Sequence, residues 1–231
     1  MMSVTVLALL MVGVMSFYMH VLKGIYVVGQ RQALSADIRS FTDELIHNAS
    51  RANQCILYLS STPADYADDT KRLAIDTSSD PSLHPAGDFV VFVYYEFPKP
   101  TGLAKHRIRF IRGYFAVPNA SGIGILRKVE MDFTGTTTGG VTAVQPSQLP
   151  VETLLTNYWN VPATAKFTNF LINVRGLAQS ETLVTSSRLF YKNDKRSMTV
   201  TGQIFESNTN VLTQDWKTYT ESFNFVVSTR S

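Results

Sequence analysis

The first 22 residues, MMSVTVLALLMVGVMSFYMHVL, contain no Asp, Glu, Lys or Arg. As a helix rising 1.5 Å per residue they reach about 33 Å, enough to cross a hydrocarbon core of about 30 Å. Val4, Val6, Leu7, Leu9, Leu10, Val12, Val14, Phe17, Val21 and Leu22 together favour insertion by roughly 3 to 6 kcal/mol. Ser3, Thr5, Ser16 and His20 offset part of that, and no charge cancels it. The pattern then changes period without stopping. Leu34, Ile38, Phe41, Leu45, Ala49, Ala52, Ile56 and Leu59 recur in steps of three and four, while Arg31, Asp37, Arg39, Asp43, Glu44, His47 and Arg51 lie off that stripe. The spacing predicts one helix over residues 1–62, apolar in 1–29 and amphipathic in 30–62, ended by breaker signals at Ser60, Ser61, Thr62 and Pro63. Its length, about 90 Å, is far beyond the usual globular helix of about 8 to 20 residues.

From residue 63 to 231 the pattern reads as strands. A polar, proline-bounded connection (63–88) precedes FVVFVYYEF (89–97), a β-branched and aromatic run typical of a buried strand. RIRFIRGYFAV (107–117) alternates arginine with apolar residues and carries an irregularity at Ile111. ILRKVEMDF (125–133), AKFTNFLINVRG (165–176), TLVTSSRLFYK (182–192), SMTVTGQIFES (197–207) and YTESFNFVVST (219–229) complete about seven strands, with turn cues at 192–195 and 208–210. LLTNYWNVP reads as a short helix or irregular turn, and the Thr/Gly-rich stretch 134–150 as an exposed loop. No internal repeat or dividing linker is evident. The expectation is an α+β chain: a long protruding N-terminal helix whose second half packs on an antiparallel β-sheet domain.

Three readings compete for the apolar head. A cleavable secretory signal would have basic residues in front, a shorter apolar stretch and a small-residue cleavage site, none of which stands at the right place. A core helix apolar on all sides needs enclosure on all sides, which a β-rich domain of this size rarely provides. A membrane-resident helix remains. Lys23 and Arg31 follow the span and no positive charge precedes it, which taken literally places the rest of the chain in the cytoplasm. The net charge of +3 is too small and too scattered to argue for nucleic acid as a partner. One cysteine, Cys55, excludes an internal disulfide framework and a cysteine zinc site.

A fully apolar half-helix continuing into an amphipathic half and then an antiparallel sheet resembles the type IV pilins and pseudopilins. In that family the mature chain opens with a Phe-Thr-Leu-x-Glu type segment, and MMSVTVLALLMVGVMSFY is similar to what directly follows that glutamate. The resemblance implies that this sequence starts a few residues into the mature chain. It covers residues 1–60 well and the remainder only in class. The family's helix-breaking proline is missing, since the first proline is Pro63, and Gly13, Gly24 and Gly29 are the weak points instead. Length, the stretch LSADIRSFTDELIHNASRAN and the absence of a disulfide-closed loop look more like larger minor pilins and pseudopilins than a standard major pilin.

The resemblance implies a structural subunit of an extracellular filament, held in the bacterial inner membrane before assembly. Its partners would be identical subunits in a helical homopolymer and a pilus or secretion assembly machinery. The assembly helix would use Val4, Leu7, Leu9, Leu10, Val12, Gly13, Val14, Phe17 and Leu22. Leu34, Ile38, Phe41, Leu45, Ala52, Ile56 and Leu59 would join helix to sheet. A minor pseudopilin of a secretion piston, working in the periplasm, shares these features. A singly anchored binding protein that never polymerises is the alternative from another class.

Candidate chemistry is sparse. His20, His47, His84 and His106 stand apart, with no second ligand at helical or hairpin spacing. Gly122 and Gly124 lack the remaining glycine of a phosphate cradle, and no Gly-x-Ser-x-Gly elbow or Cys/His pair can be assembled. No enzymatic activity and no cofactor is expected. Asp65, Asp68, Asp69, Asp76 and Asp80 form an acidic connection, and some pseudopilins hold calcium in such a loop. The spacing does not match an EF-hand and alternates with Lys71 and Arg72. Lys105, His106, Arg107, Arg109, Arg112, Arg127 and Lys128 form a basic cluster that reads either as a solvated strand face or as an anion-attracting one. NAS at 48–50 and at 119–121 fits the glycosylation acceptor pattern.

Overall fold

The computed structural model describes residues 2–73, 85–96, 107–118, 124–133, 149–176, 188–194, 196–209 and 216–230. Its first element is a 50-residue helix, α1 (Met2–Arg51), about 75 Å long. Among the described residues a sheet of nine strands follows, all of whose pairings are antiparallel. The architecture is therefore α+β, an apolar N-terminal helix joined to a large antiparallel sheet.

The helix stops earlier than its apolar spacing predicts. Residues 54–58 form strand β1 (Gln54–Tyr58), which pairs with β3 (Phe89–Tyr95) in the register Ile56 to Val91. Here the period is two: Cys55 and Leu57 face the helix-side core, and Ile56 and Tyr58 face the opposite one. Ile56 is thus a strand residue, and Leu59, 38% exposed, lies beyond the strand. Only Ala52 and Asn53 separate helix from strand, and the Asn53 backbone N–H already donates to the Val93 carbonyl at 2.9 Å. Four-residue spacing over a few positions satisfies both periods, which is why the stripe ran on into a strand.

Between β1 and β3 lie the short helix α2 (Pro63–Tyr66), a 3-10 turn at Asp69–Lys71 and the two-residue strand β2 (Ala86–Gly87). Then come β4 (Ile108–Pro118), β5 (Gly124–Asp132), the helix α3 (Val151–Tyr158), β6 (Ala165–Gly176), β7 (Phe190–Lys192), β8 (Ser197–Thr209) and β9 (Trp216–Ser228). The irregularity in the arginine-rich strand falls where Tyr94 faces Phe110 but Tyr95 faces Ile108. Asn208, read as a turn residue, belongs to β8, which is paired with β9 as far as Thr209 opposite Trp216. The stretches 134–148 and 177–187 and the second NAS sequence lie outside the described residues.

Strand order is β1-β3-β4-β5-β6-β8-β7-β2, with β9 beside β8. The two ends of this path return to each other: Asp88 N–H donates to the Leu59 carbonyl at 3.0 Å, and Leu73 N–H to that of Leu57 at 2.9 Å. The sheet is in this way nearly barrel-shaped. A Cβ on Gly87 would stand 2.1 Å from the Tyr58 carbonyl oxygen, so the closure requires glycine there.

Each face of the curved sheet carries its own core. Inside, Leu34, Phe41, Leu45, Ala49 and Ala52 of α1 pack with Val90, Phe92, Tyr114 and Leu126, and Ile38 is partly buried among them. Phe41 is fully buried, its ring 5.7 to 5.8 Å from those of Phe170, Phe223 and Phe225. Outside, Val151, Leu154 and Leu155 of α3 cover Phe89, Val91, Phe115 and Val129, with Tyr66 and Trp159 alongside. Strand β3 is covered on both sides, which explains its uninterrupted apolar sequence.

Candidate functional site

The apolar half of α1 leaves the domain bare. Leu7, Leu9, Leu10, Val12, Val14, Phe17 and Leu22 are all exposed, with Leu9 74% accessible. Met11, Met15, Ile25 and Val28 extend the surface to every side of the helix. Val4 belongs to the same helix. At Gly13 nothing lies within 4 Å of where a Cβ would be, leaving a notch bordered by Leu9, Leu10, Val14 and Phe17. The helix is long and apolar enough to cross a membrane, with mean hydropathy 1.6 over its apolar window and none of that window buried. A contiguous apolar surface of this size is satisfied by lipid or by other apolar surface, not by water.

The sheet-bound half is held by a polar clamp as well as by Phe41. The Asn48 Nδ2 donates to the Tyr114 hydroxyl at 2.5 Å, and that hydroxyl donates to Glu44 Oε1 at 2.9 Å. Lys128 Nζ reaches the same Glu44 oxygen at 2.9 Å and Glu130 at 3.4 Å, and Arg112 pairs with Glu130 at 2.7 Å while also donating to Asn48 Oδ1. Tyr94 adds a bond from its hydroxyl to the Asn48 carbonyl at 2.8 Å. Burial, and then the Glu44 carboxylate, push the Tyr114 phenol far above its ordinary range, so it stays a neutral donor. Arg112 and Lys128 of the basic cluster are therefore spent on the helix. Arg127 stands over Phe167 at 5.6 Å on the other face, Arg109 is exposed, and Lys105 and His106 lie outside the described residues.

A second buried carboxylate fastens the outer layer. Glu152, in the first turn of α3, accepts from Arg72 through both oxygens, at 2.5 and 2.8 Å, and from the Tyr58 hydroxyl at 2.5 Å. Burial pushes its carboxyl up, but the Arg72 and Tyr58 hydrogen bonds outweigh this and hold it below the ordinary range. Asp88 pairs with Arg188 at 2.5 Å and accepts from the Leu189 N–H at 3.1 Å, tying the β2–β3 junction to the approach of β7. Sequence reasoning singled out neither carboxylate, because their partners stand 80 and 100 residues away.

The acidic connection is engaged locally. Asp65 accepts from Ser60 and Thr62 at 2.6 and 2.8 Å, and Asp68 caps the 3-10 turn through Thr70 N–H at 3.0 Å. Among the described residues no group of three His, Cys, Asp or Glu side chains is placed to hold a metal ion, and the Asp65 and Asp68 carboxylates, two of the three considered for calcium from the sequence, are engaged as above. Asp76 and Asp80 lie outside the described residues. Asn48 of the first NAS sequence is buried and bonded through its amide, which leaves no room for a glycan on the folded chain. His20 and His47 are exposed on α1. Cys55 is a strand residue, not a helix residue; burial pushes its thiol up to about 12. The crevice between Cys55, Lys192 and Met198 is about 10 Å³, room for one water at most. No family model, curated protein or solved structure matches this chain.

Proposed function

We propose that the chain is a membrane-stored structural subunit of a type IV pilus-like filament. One observation carries the reading: a half-helix bare and apolar on every side is continuous with a half locked into a folded domain. A plain tether needs only lipid around such a helix. A filament uses the same surface twice, against lipid before assembly and against equivalent helices afterwards. Head-to-tail contacts between identical subunits then give an open helical array. The resemblance read in the sequence of the long N-terminal helix, now bounded at Met2–Arg51, to that of pilins and pseudopilins supports the same reading. Partners on this reading are identical copies, the inner membrane as the store, and an assembly machinery that this chain does not encode. The role is mechanical, with no catalytic step assigned to the chain.

Electron microscopy of the full-length protein, in membranes and in sheared surface material, tests this. Fibres that disappear on Leu9→Arg, with the β-domain still folded, support it. A solitary bilayer-embedded particle under every condition overturns it in favour of the second reading, a singly anchored binding domain. The observation favouring that second reading is the length of α1, which ends at Arg51 with its last third already inside the sheet and so leaves a free shaft close to one membrane thickness.

A further inference from the structure

α1 and β9 run in the same direction, and two contacts fix how they lie along each other. The Arg230 N–H donates to the Ala52 carbonyl at 3.3 Å, and the Phe41 ring packs against those of Phe223 and Phe225 at 5.8 and 5.7 Å. Between these contacts the helix falls back by roughly 16 Å and the strand by roughly 20 Å, so the two are inclined only modestly. Carried on at the same ratio to its first residue, β9 brings Trp216 level with about Tyr26 of the helix. β8 keeps pace, since Thr209 pairs with Trp216. The β8–β9 ladder therefore reaches past Leu34, the buried α1 residue nearest the N-terminus among the described residues, and runs beside a shaft whose own side chains are bare. It stops where the helix from Met2 to Tyr26 measures about 36 Å, one hydrocarbon core and part of a headgroup layer.

Resting on the membrane-storage reading above, we propose that the end of the β8–β9 hairpin lies in the headgroup layer of the bilayer that α1 crosses, a second contact of the subunit with lipid, made by strands. The sequence placed at that level has the composition of a membrane interface. β9 opens Trp-Lys-Thr-Tyr, so Trp216, Lys217 and Tyr219 come to the height at which α1 carries Lys23 and Tyr26, both exposed. Trp and Tyr collect at the boundary between hydrocarbon and water, and Lys keeps its charge among headgroups while its stem lies against apolar chains. Farther along β9, away from the membrane, the exposed residues Thr220, Ser222 and Asn224 are polar and uncharged, so the aromatic and basic residues outside the core are gathered at the hairpin end. Lys23 and Lys217 at one height favour anionic headgroups there. A lone helix is free to turn about its own axis in a bilayer. A second foot beside it fixes which side of the domain faces the membrane and how far the shaft tilts. Entry into a filament then requires two detachments from lipid, the hairpin's as well as the helix's.

The test uses the full-length chain in vesicles of phosphatidylcholine and phosphatidylglycerol, some of whose acyl chains are brominated close to the headgroup. The chain has two tryptophans, Trp159 and Trp216. Trp159 is packed between Tyr66, Phe115 and Phe167 on the outer face of the sheet, out of reach of lipid on this geometry. Brominated lipid should therefore quench part of the wild-type emission, and Trp216→Phe should abolish that loss. No quenching in the wild type, or quenching that survives Trp216→Phe, overturns the contact. An environment-sensitive label on Asn208→Cys, in a Cys55→Ser background, is the second readout. It should brighten on reconstitution and be quenched by the same lipids, whereas a label on Asn224→Cys should do neither. A label at Asn208 that stays in water, or equal responses at the two positions, counts against the proposal. Fibres without quenching sink the hairpin contact and spare the filament, and quenching without fibres does the reverse. Complete extraction of the chain by alkaline carbonate sinks the membrane store on which both rest.

Discussion

Asn48 of α1 and Tyr114 of β4 meet at 2.5 Å with both residues buried, at the point where the helix is held to the sheet. Truncating either leaves a buried partner unsatisfied. Asn48→Ala is expected to cost about 2 kcal/mol. Tyr114→Phe, which takes the acceptor from the Asn48 amide and one of two donors from the Glu44 carboxylate, should cost about as much. Denaturant unfolding of the detergent-solubilised protein measures both. A change within experimental error would mean that the apolar packing around Phe41 alone fixes the helix.

The near-closure of the sheet depends on the backbone contact at Gly87. Gly87→Ala puts a methyl group against the Tyr58 carbonyl, which is main chain and has little freedom to retreat. The expected loss is about 1 to 3 kcal/mol. Faster amide exchange should be confined at first to β1 and β2, and uniform exchange across the sheet would argue against a local closure.

Glu152 ties a piece of stability to pH. Its folded carboxyl lies below the 4.5 of the free group, so the stabilisation is present above about 4.5 and is lost as pH falls through the lower, folded value. Glu152→Gln removes that dependence and, with Arg72 left half-buried, should cost about 3 kcal/mol at neutral pH. The difference between wild-type and variant stability should shrink on acidification below pH 4.5. A constant difference would show that the carboxylate's charge is not what binds α3.

With its thiol pushed up to about 12, Cys55 holds almost no thiolate at neutral pH. Alkylation by a maleimide should be slower than for an exposed cysteine by on the order of a thousandfold, and should become fast on unfolding. Rapid labelling of the native protein would mean that β1 opens readily from β3.

Gly13 separates the assembly reading from the anchor reading. In the isolated subunit its surroundings are empty, so Gly13→Leu leaves the domain's stability unchanged and favours the helix by a few tenths to about 1 kcal/mol. If neighbouring helices approach at this notch, the same change cuts fibre yield sharply. Normal fibres from the leucine variant would place the helix–helix contact elsewhere.

The α+β class, the long apolar helix and most strands were legible because each rests on local periodicity. Residues 165–176 form a strand with the predicted bounds. The helix end was not legible, since Ala52, Ile56 and Leu59 continue the steps of four and three while no glycine or proline marks the stop. Two-residue β2 is too short to carry a pattern and exists only through its pairing with Phe190 and Tyr191. The clamp was visible only as its parts. Arg112 and Lys128 read as surface basic residues and Asn48 as a glycan acceptor, and their shared purpose depends on partners 64 to 84 residues away.

Two residues, Ala52 and Asn53, join the shaft to the first strand of the sheet, and that brevity leaves no slack. A tug or twist on the protruding rod therefore reaches β1 at once, passes to β3 through five paired positions, and arrives at the seam where Asp88 meets Leu59. Whatever surroundings grip the rod, the domain registers the strain at its seam, as a lever registers load at its hinge.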